Sequence, residues 1–265
     1  DDVRTDDYRV LILLPFLPRQ IREYLSHTLP DEDIDGLLEK INAVYTLRDL
    51  AARPYTLSLI APDISEIDKW KPKGRPLTRI DVYHHVVRSW LERDLARHQL
   101  TPDHKRQLME YFSAALWRSG KEAWTVTDLE QWLINFLRDR PDLAEHYTGR
   151  SRELLKDDLR AATFLEREGE AGIRFAHTSL GEYFLASYLF SALKAGNLAE
   201  WALPRVSRET LDFLGQLMVS DESGSELAAL RSISDRYRPG ISEQVLDYAL
   251  FAAAKRYPFP SLTGF

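Results

Sequence analysis

Apolar residues along this chain recur mostly at helical spacing, with a few short runs that do not. Residues 9–16, RVLILLPF, are a short apolar run bounded by Pro15 and Pro18, and predict one strand. Pro18 suits the first turn of the helix that follows, whose stripe is Ile21, Tyr24 and Leu25. A second helix spans Asp31 to Asn42, with Asp33 as its expected cap and Ile34, Leu37, Leu38 and Ile41 on one side. A third runs through Val44, Leu47, Leu50 and Ala51, and Pro54 must end or bend it. A fourth follows through Leu57, Ile60 and Ile64.

The stretch 68–79, DKWKPKGRPLTR, breaks the pattern with two prolines, a glycine and five basic residues, and predicts a linker. A long helix then covers 80–98. Its adjacent His84 and His85 diverge by roughly 100°, which is wrong for a shared metal. Residues 103–194 alternate helices with short apolar runs. Leu108, Tyr111, Phe112, Ala115 and Leu116 face inward on one helix that Gly120 ends; AWTV is a strand; Thr127 or Asp128 caps DLEQWLINFLRD. SRELLKDDLRAATF makes a further helix, and FLERE and GIRFAH are strands about a turn at 168–172. That order predicts a winged helix. Beyond Gly196 the chain is helical again, through Leu211, Phe213 and Leu217, through Leu227, Leu230 and Ile233, and through Val245, Tyr248 and Phe251. The tail, YPFPSLTGF, has no packing pattern of its own. The expected architecture is mainly α: a helical domain over 1–67, the linker, a winged-helix domain over 80–195, and a helical bundle over 196–265.

One stretch combines both periodicities. In IRFAHTSLGEYFLASYLF, residues 173–190, Ile173, Phe175 and His177 share one face of a strand. From Leu180 onward the apolar residues circle a helix that should be largely buried. Ser179 and Glu182 have the spacing of a capping box, so Ser179 is the expected cap. His177 then sits just before a helix N-terminus, where unpaired amides and the helix dipole favour an anion such as phosphate. A core histidine bonded to backbone would look the same at this spacing.

Composition narrows the field. The 265 residues are 44% hydrophobic, enough for a real core, and the net charge of −6 argues against a chain-wide nucleic-acid or membrane-surface role. There are no cysteines, hence no disulfide, thiolate or Cys-zinc chemistry, as suits a cytoplasmic protein. No apolar run reaches the ~18–20 residues of a membrane span. The first ten residues lack the pattern of a signal peptide, and the chain does not begin with Met, as expected of a piece of a longer protein.

Two motifs carry a resemblance. FAHTSLGEYFLA, together with LLPFLPRQIREYL and LRDLAARPYTLSLI, resembles the winged-helix and preceding helical segments of NACHT-type STAND NTPases, the NLR-like signalling ATPases and bacterial NACHT proteins. The resemblance covers roughly residues 8–195. It implies that His177 touches the β-phosphate of bound ADP and that Pro54 packs beside the base and sugar, although Arg53 stands where other branches often carry glycine. It further implies ADP or ATP with Mg2+ held by an upstream nucleotide-binding domain, homo-oligomerisation on activation, and a role in bacterial immune or stress signalling.

Other chemistry is missing from the sequence. It contains no GxxxxGK(S/T), so the chain alone should not hydrolyse ATP, and no HExxH or GxSxG. Asp157 and Asp158 are adjacent and diverge. The alternative function is a winged-helix DNA-binding regulator, with Arg152, Lys156 and Arg160 on one face of its recognition helix; the acids between them and the net charge argue against nucleic acid.

Overall fold

The computed structural model describes residues 14–43, 47–48, 51–65, 69, 78–95, 100–147, 164–168, 172–220, 229–230 and 240–259. The described chain is mainly helical with one small sheet, and it divides into two compact units, 1–86 and 87–265. The division falls inside a helix. Of the linker expected at 68–79, only Lys69, Thr78 and Arg79 are described.

In the first unit, helix α1 (Pro18–Thr28) opens with Pro18 at its first position, and the Leu17 amide donates to Gln20 Oε1 at 2.9 Å. Helix α2 (Ile34–Ala43) is capped as expected: Asp33 Oδ1 accepts from the Gly36 amide at 3.1 Å. Ile21 and Leu25 of α1 and Leu37 and Ile41 of α2 are buried, the stripes that the spacing marks. Helix α3 (Pro54–Ile64) begins at Pro54, and α4 (Arg79–Leu95) follows. The strand expected over 9–16 is corrected in part. Residues 9–13 lie outside the described residues, and 14–16 are irregular, with Leu14 75% exposed and the Phe16 amide bonded to the Ala52 carbonyl. Two prolines in four residues leave too few amides for a ladder there.

The second unit is built on α5 (Pro102–Ser119), β1 (Trp124–Thr125), α6 (Val126–Arg138), α7 (Pro141–His146), β2 (Leu165–Glu168), β3 (Gly172–Phe175) and α8 (Thr178–Lys194). The strands form an antiparallel sheet in the order β1-β3-β2, with Leu165 opposite Phe175 and Trp124 opposite Ile173. Alternation in β3 is strict: Ile173 and Phe175 are buried, while Arg174 faces out and pairs with Glu166 at 2.9 Å on β2. A relay of aromatic rings joins the elements. Phe112 of α5 meets Trp124, Trp132 and Phe175 at 5.4–5.5 Å, and Phe175 stacks on Phe184 of α8 at 5.8 Å. Gly120 ends α5 at φ +66° as expected. The α6 cap is corrected: Thr125, not Thr127 or Asp128, accepts from the Asp128 amide at 3.0 Å. Leaving the sheet, Thr125 already has the extended backbone a cap needs, so the helix starts two residues early. Of the helix expected at 151–164, only Phe164 is described; Arg152, Lys156 and Arg160 lie outside the described residues.

Beyond α8, a 3-10 turn (Leu198–Trp201) leads to α9 (Arg208–Ser220) and α10 (Ile241–Lys255). Part of the expected middle helix is described at residues 229–230, with Leu230 buried. The start of the tail does pack, contrary to the pattern. Tyr257 covers Gly215, where an added Cβ would come within 2.2 Å of its ring, and its hydroxyl donates to Asp212 Oδ1 at 2.9 Å. Partners more than forty residues away in the chain leave no periodic trace in the tail itself.

Candidate functional site

The site begins where β3 hands over to α8. The chain is still extended at His177, with φ −148° and ψ 137°, and turns helical at Thr178. His177 is therefore the cap. Its Nδ1 accepts from the Ser179 amide at 3.0 Å, and the Ser179 hydroxyl closes on the same nitrogen. This corrects the expected capping box. Nδ1 stands as far along the side chain as the amide oxygen of asparagine, a preferred cap, so the imidazole takes the place the hydroxyl would have had. Glu182 turns away and accepts from Ser207 Oγ at 2.8 Å.

This geometry fixes the tautomer of the neutral ring. With Nδ1 accepting, the proton sits on Nε2, which becomes an N–H donor. The ring is 5% exposed. Ile173, Phe175 and His177 all face inward, as the alternation requires, and α8 behind them is almost wholly buried from Leu180 to Leu189. Phe190 is half-buried.

A cleft of about 520 Å3 borders the first turn of α8, lined by Thr178, Gly181, Phe175, Trp117, Lys121 and Arg174 among others. Gly181 lets this wall close: a Cβ there would stand 3.0 Å from Phe175 Cδ2, and its carbonyl accepts from Ser113 Oγ at 2.7 Å.

Pro54 occupies the first position of α3, in the other compact unit, and is half-buried. Arg53 before it has φ −100° and ψ 122°, ordinary extended backbone, so a glycine is not needed at that position. His177 and Pro54 are thus each placed within their own unit. His84 and His85 are half-buried on α4. Among the described residues, no group of three or more His, Asp or Glu side chains is placed to hold a metal ion, and no helix is long and apolar enough to cross a membrane.

Sequence spacing missed a second cluster, at the far half of α8. Arg118 Nη2 bonds Tyr188 Oη at 3.0 Å and Glu200 Oε2 at 2.8 Å, and the Tyr188 hydroxyl donates to Glu200. Glu110 is buried on α5, and Ser191 Oγ donates to its Oε2 at 3.4 Å. Burial pushes the Glu110 carboxyl up to about 7. The available signal was Glu110 itself, a lone acid between Met109 and Phe112 on the inward side of its helix.

Compared with known proteins, the chain matches no protein-family model and no curated protein.

Proposed function

We propose that this chain is the regulatory portion of a NACHT-type STAND signalling ATPase, in which 1–67 is the end of the nucleotide-binding core and the small helical domain, 68–79 the linker, 80–195 the winged helix with its leading helix and 196–265 a C-terminal helical segment. The β1-β3-β2 sheet, framed by α5, α6 and α8, supports the winged-helix reading. The observation that carries the functional reading is the cap of α8: a histidine whose Nδ1 is engaged by its own helix and whose other nitrogen is therefore the donor. A bound ADP, with Mg2+ held by an upstream nucleotide-binding domain, would supply the phosphate charge that tells the resting state from the active one.

The donor set fits such a group. His177 offers a neutral N–H of fixed direction, and Pro54 offers a rigid apolar ring with no amide to compete for polar atoms. Because the ring of His177 is buried, contact with phosphate requires its present cover to give way. One hydrogen bond to a charged oxygen contributes about 1.5–3 kcal/mol. That biases a two-state equilibrium but falls short of the ~5.5 kcal/mol needed to invert a 1:99 ratio. His177 therefore acts as one restraint among several, holding the winged helix against the nucleotide core in the ADP state and releasing it for oligomerisation in the ATP state.

The test is a pair of substitutions in the protein that joins this chain to its nucleotide-binding domain. His177→Ala removes cap and donor together; His177→Asn restores the cap but is too short to reach the Nε2 position. Both variants should purify with less ADP and show more oligomer by mass photometry. Full ADP content and unchanged monomer in both would defeat the reading.

The alternative, a DNA-binding winged helix, draws on the same sheet order. It predicts binding of labelled duplex at low salt with a steep salt dependence. The net charge of −6 supports the nucleotide-switch reading over it.

A further inference from the structure

A cavity of about 510 Å3 lies between the start of α5 and the second half of α8, wholly within the second unit. Its size is that of a small-molecule site. Its charges are unevenly matched. Glu200, on one wall, is already bonded to Arg118 and Tyr188. Glu110, on another, accepts from Ser191, and burial raises its carboxyl to about 7 against the pull of Arg106, so that it carries only part of its charge near neutral pH. Asp103 is the remaining acid and sits exposed at the rim.

Arg106 and Arg140 line the same cavity, and neither has a carboxylate within ion-pair distance among the described residues. Arg140 is fixed nonetheless: its guanidinium lies 4.1 Å over the ring of Tyr111 and 5.6 Å from that of Phe136. Stacking uses the face of the guanidinium and leaves its in-plane N–H fork for an acceptor. His104 adds a third donor. The Tyr147 hydroxyl accepts from the Thr101 amide at 3.2 Å and pairs with His104 Nδ1 at 2.7 Å; in the tautomer in which Tyr147 donates, the ring carries its own proton on Nε2. Burial and the neighbouring His146 lower the His104 pKa, which keeps that ring neutral.

Two guanidinia with no carboxylate at ion-pair distance among the described residues, set at one concave surface beside the His104 ring, have the chemistry that receives an oxyanion. We infer that this cavity binds a small ligand bearing a carboxylate or phosphate group, held between Arg106 and Arg140 with His104 and Ser191 on its walls. The site stands apart from His177 and does not depend on the nucleotide-switch reading.

Thermal unfolding of the full chain in inorganic phosphate and in succinate, against sodium chloride at equal ionic strength, tests it. A ligand that binds only the folded chain raises the midpoint with concentration. At least one of the two anions should raise the wild-type midpoint above that in chloride, and the larger shift identifies phosphate or carboxylate as the preferred group. The double variant R106Q/R140Q should lose that shift, while Lys121→Gln, beside the other cleft, should keep it. Should the double variant fail to fold, Arg106→Lys and Arg140→Lys, which keep the charge but lose the fork, should each weaken the preferred anion about tenfold by calorimetry. No shift beyond chloride in wild type, an equal shift in the double variant, or unchanged affinity in both lysine variants overturns the inference.

Discussion

The two ends of helix α8 are anchored in opposite ways. At its N-terminus the cap is local: His177 bonds Ser179, two positions on, and that bond needs nothing from elsewhere in the chain. In its second half the partners come from far away. Tyr188 meets Arg118 across 70 residues, Ser191 meets Glu110 across 81, and Trp201 Nε1 reaches back to the Leu189 carbonyl at 3.0 Å. The first anchor costs little to replace, because any good cap satisfies the same amide. The second is a set of partly buried long-range bonds, and removing one member leaves its partner to find another.

The largest expected effect is therefore at the far end. Trp201 is fully buried, and Trp201→Ala should cost about 3–5 kcal/mol by urea denaturation, since it opens a cavity and removes the indole's bond to the Leu189 carbonyl. Glu110→Gln comes next and shows itself through pH. The folded chain raises this carboxyl from 4.5 to about 7, chiefly by burial, so the folded state binds its proton more tightly than the unfolded one. The stability from that proton is present below about 4.5 and is lost as pH rises through 7. Wild type should lose roughly 2–3 kcal/mol relative to Glu110→Gln between pH 5 and pH 8. Equal pH slopes in the two proteins would show that Glu110 ionises normally.

At the near end the effects shrink. His177→Ala should cost about 1 kcal/mol in the chain alone, and His177→Asn only a few tenths. Equal losses would mean that the imidazole is held by its burial rather than by its cap. Gly181→Ala is the smallest: better helix propensity, worth about 1 kcal/mol, opposes a Cβ crowding Phe175 at 3.0 Å, so the net change in the urea midpoint should be near zero.

The same contrast explains what could be read from the sequence. The stripes of α1 and α2, the Asp33 cap, Gly120 at the end of α5, the alternation of β3 and the burial of α8 are all set within a few residues, and the pattern marks them. The position of His177 at a helix N-terminus was legible; its being the cap was not, because a histidine imitates asparagine only once the backbone leaves the strand at that residue. The Arg118, Tyr188 and Glu200 cluster, and the cavity with Arg106 and Arg140, join segments whose neighbourhood no local spacing encodes. Tyr257 on Gly215 is the same case in miniature: a glycine inside a helix gives no hint of the ring that fills its place.

The proposed switch would give His177 two separable roles, one toward its helix and one toward a nucleotide. The rate of ADP release from the protein carrying its nucleotide-binding domain, measured for wild type and His177→Asn, separates them most directly. The account predicts release about tenfold faster or more in the variant, with the unfolding midpoint of the isolated chain nearly unchanged. Release at the wild-type rate, from a variant that is equally stable, would contradict it.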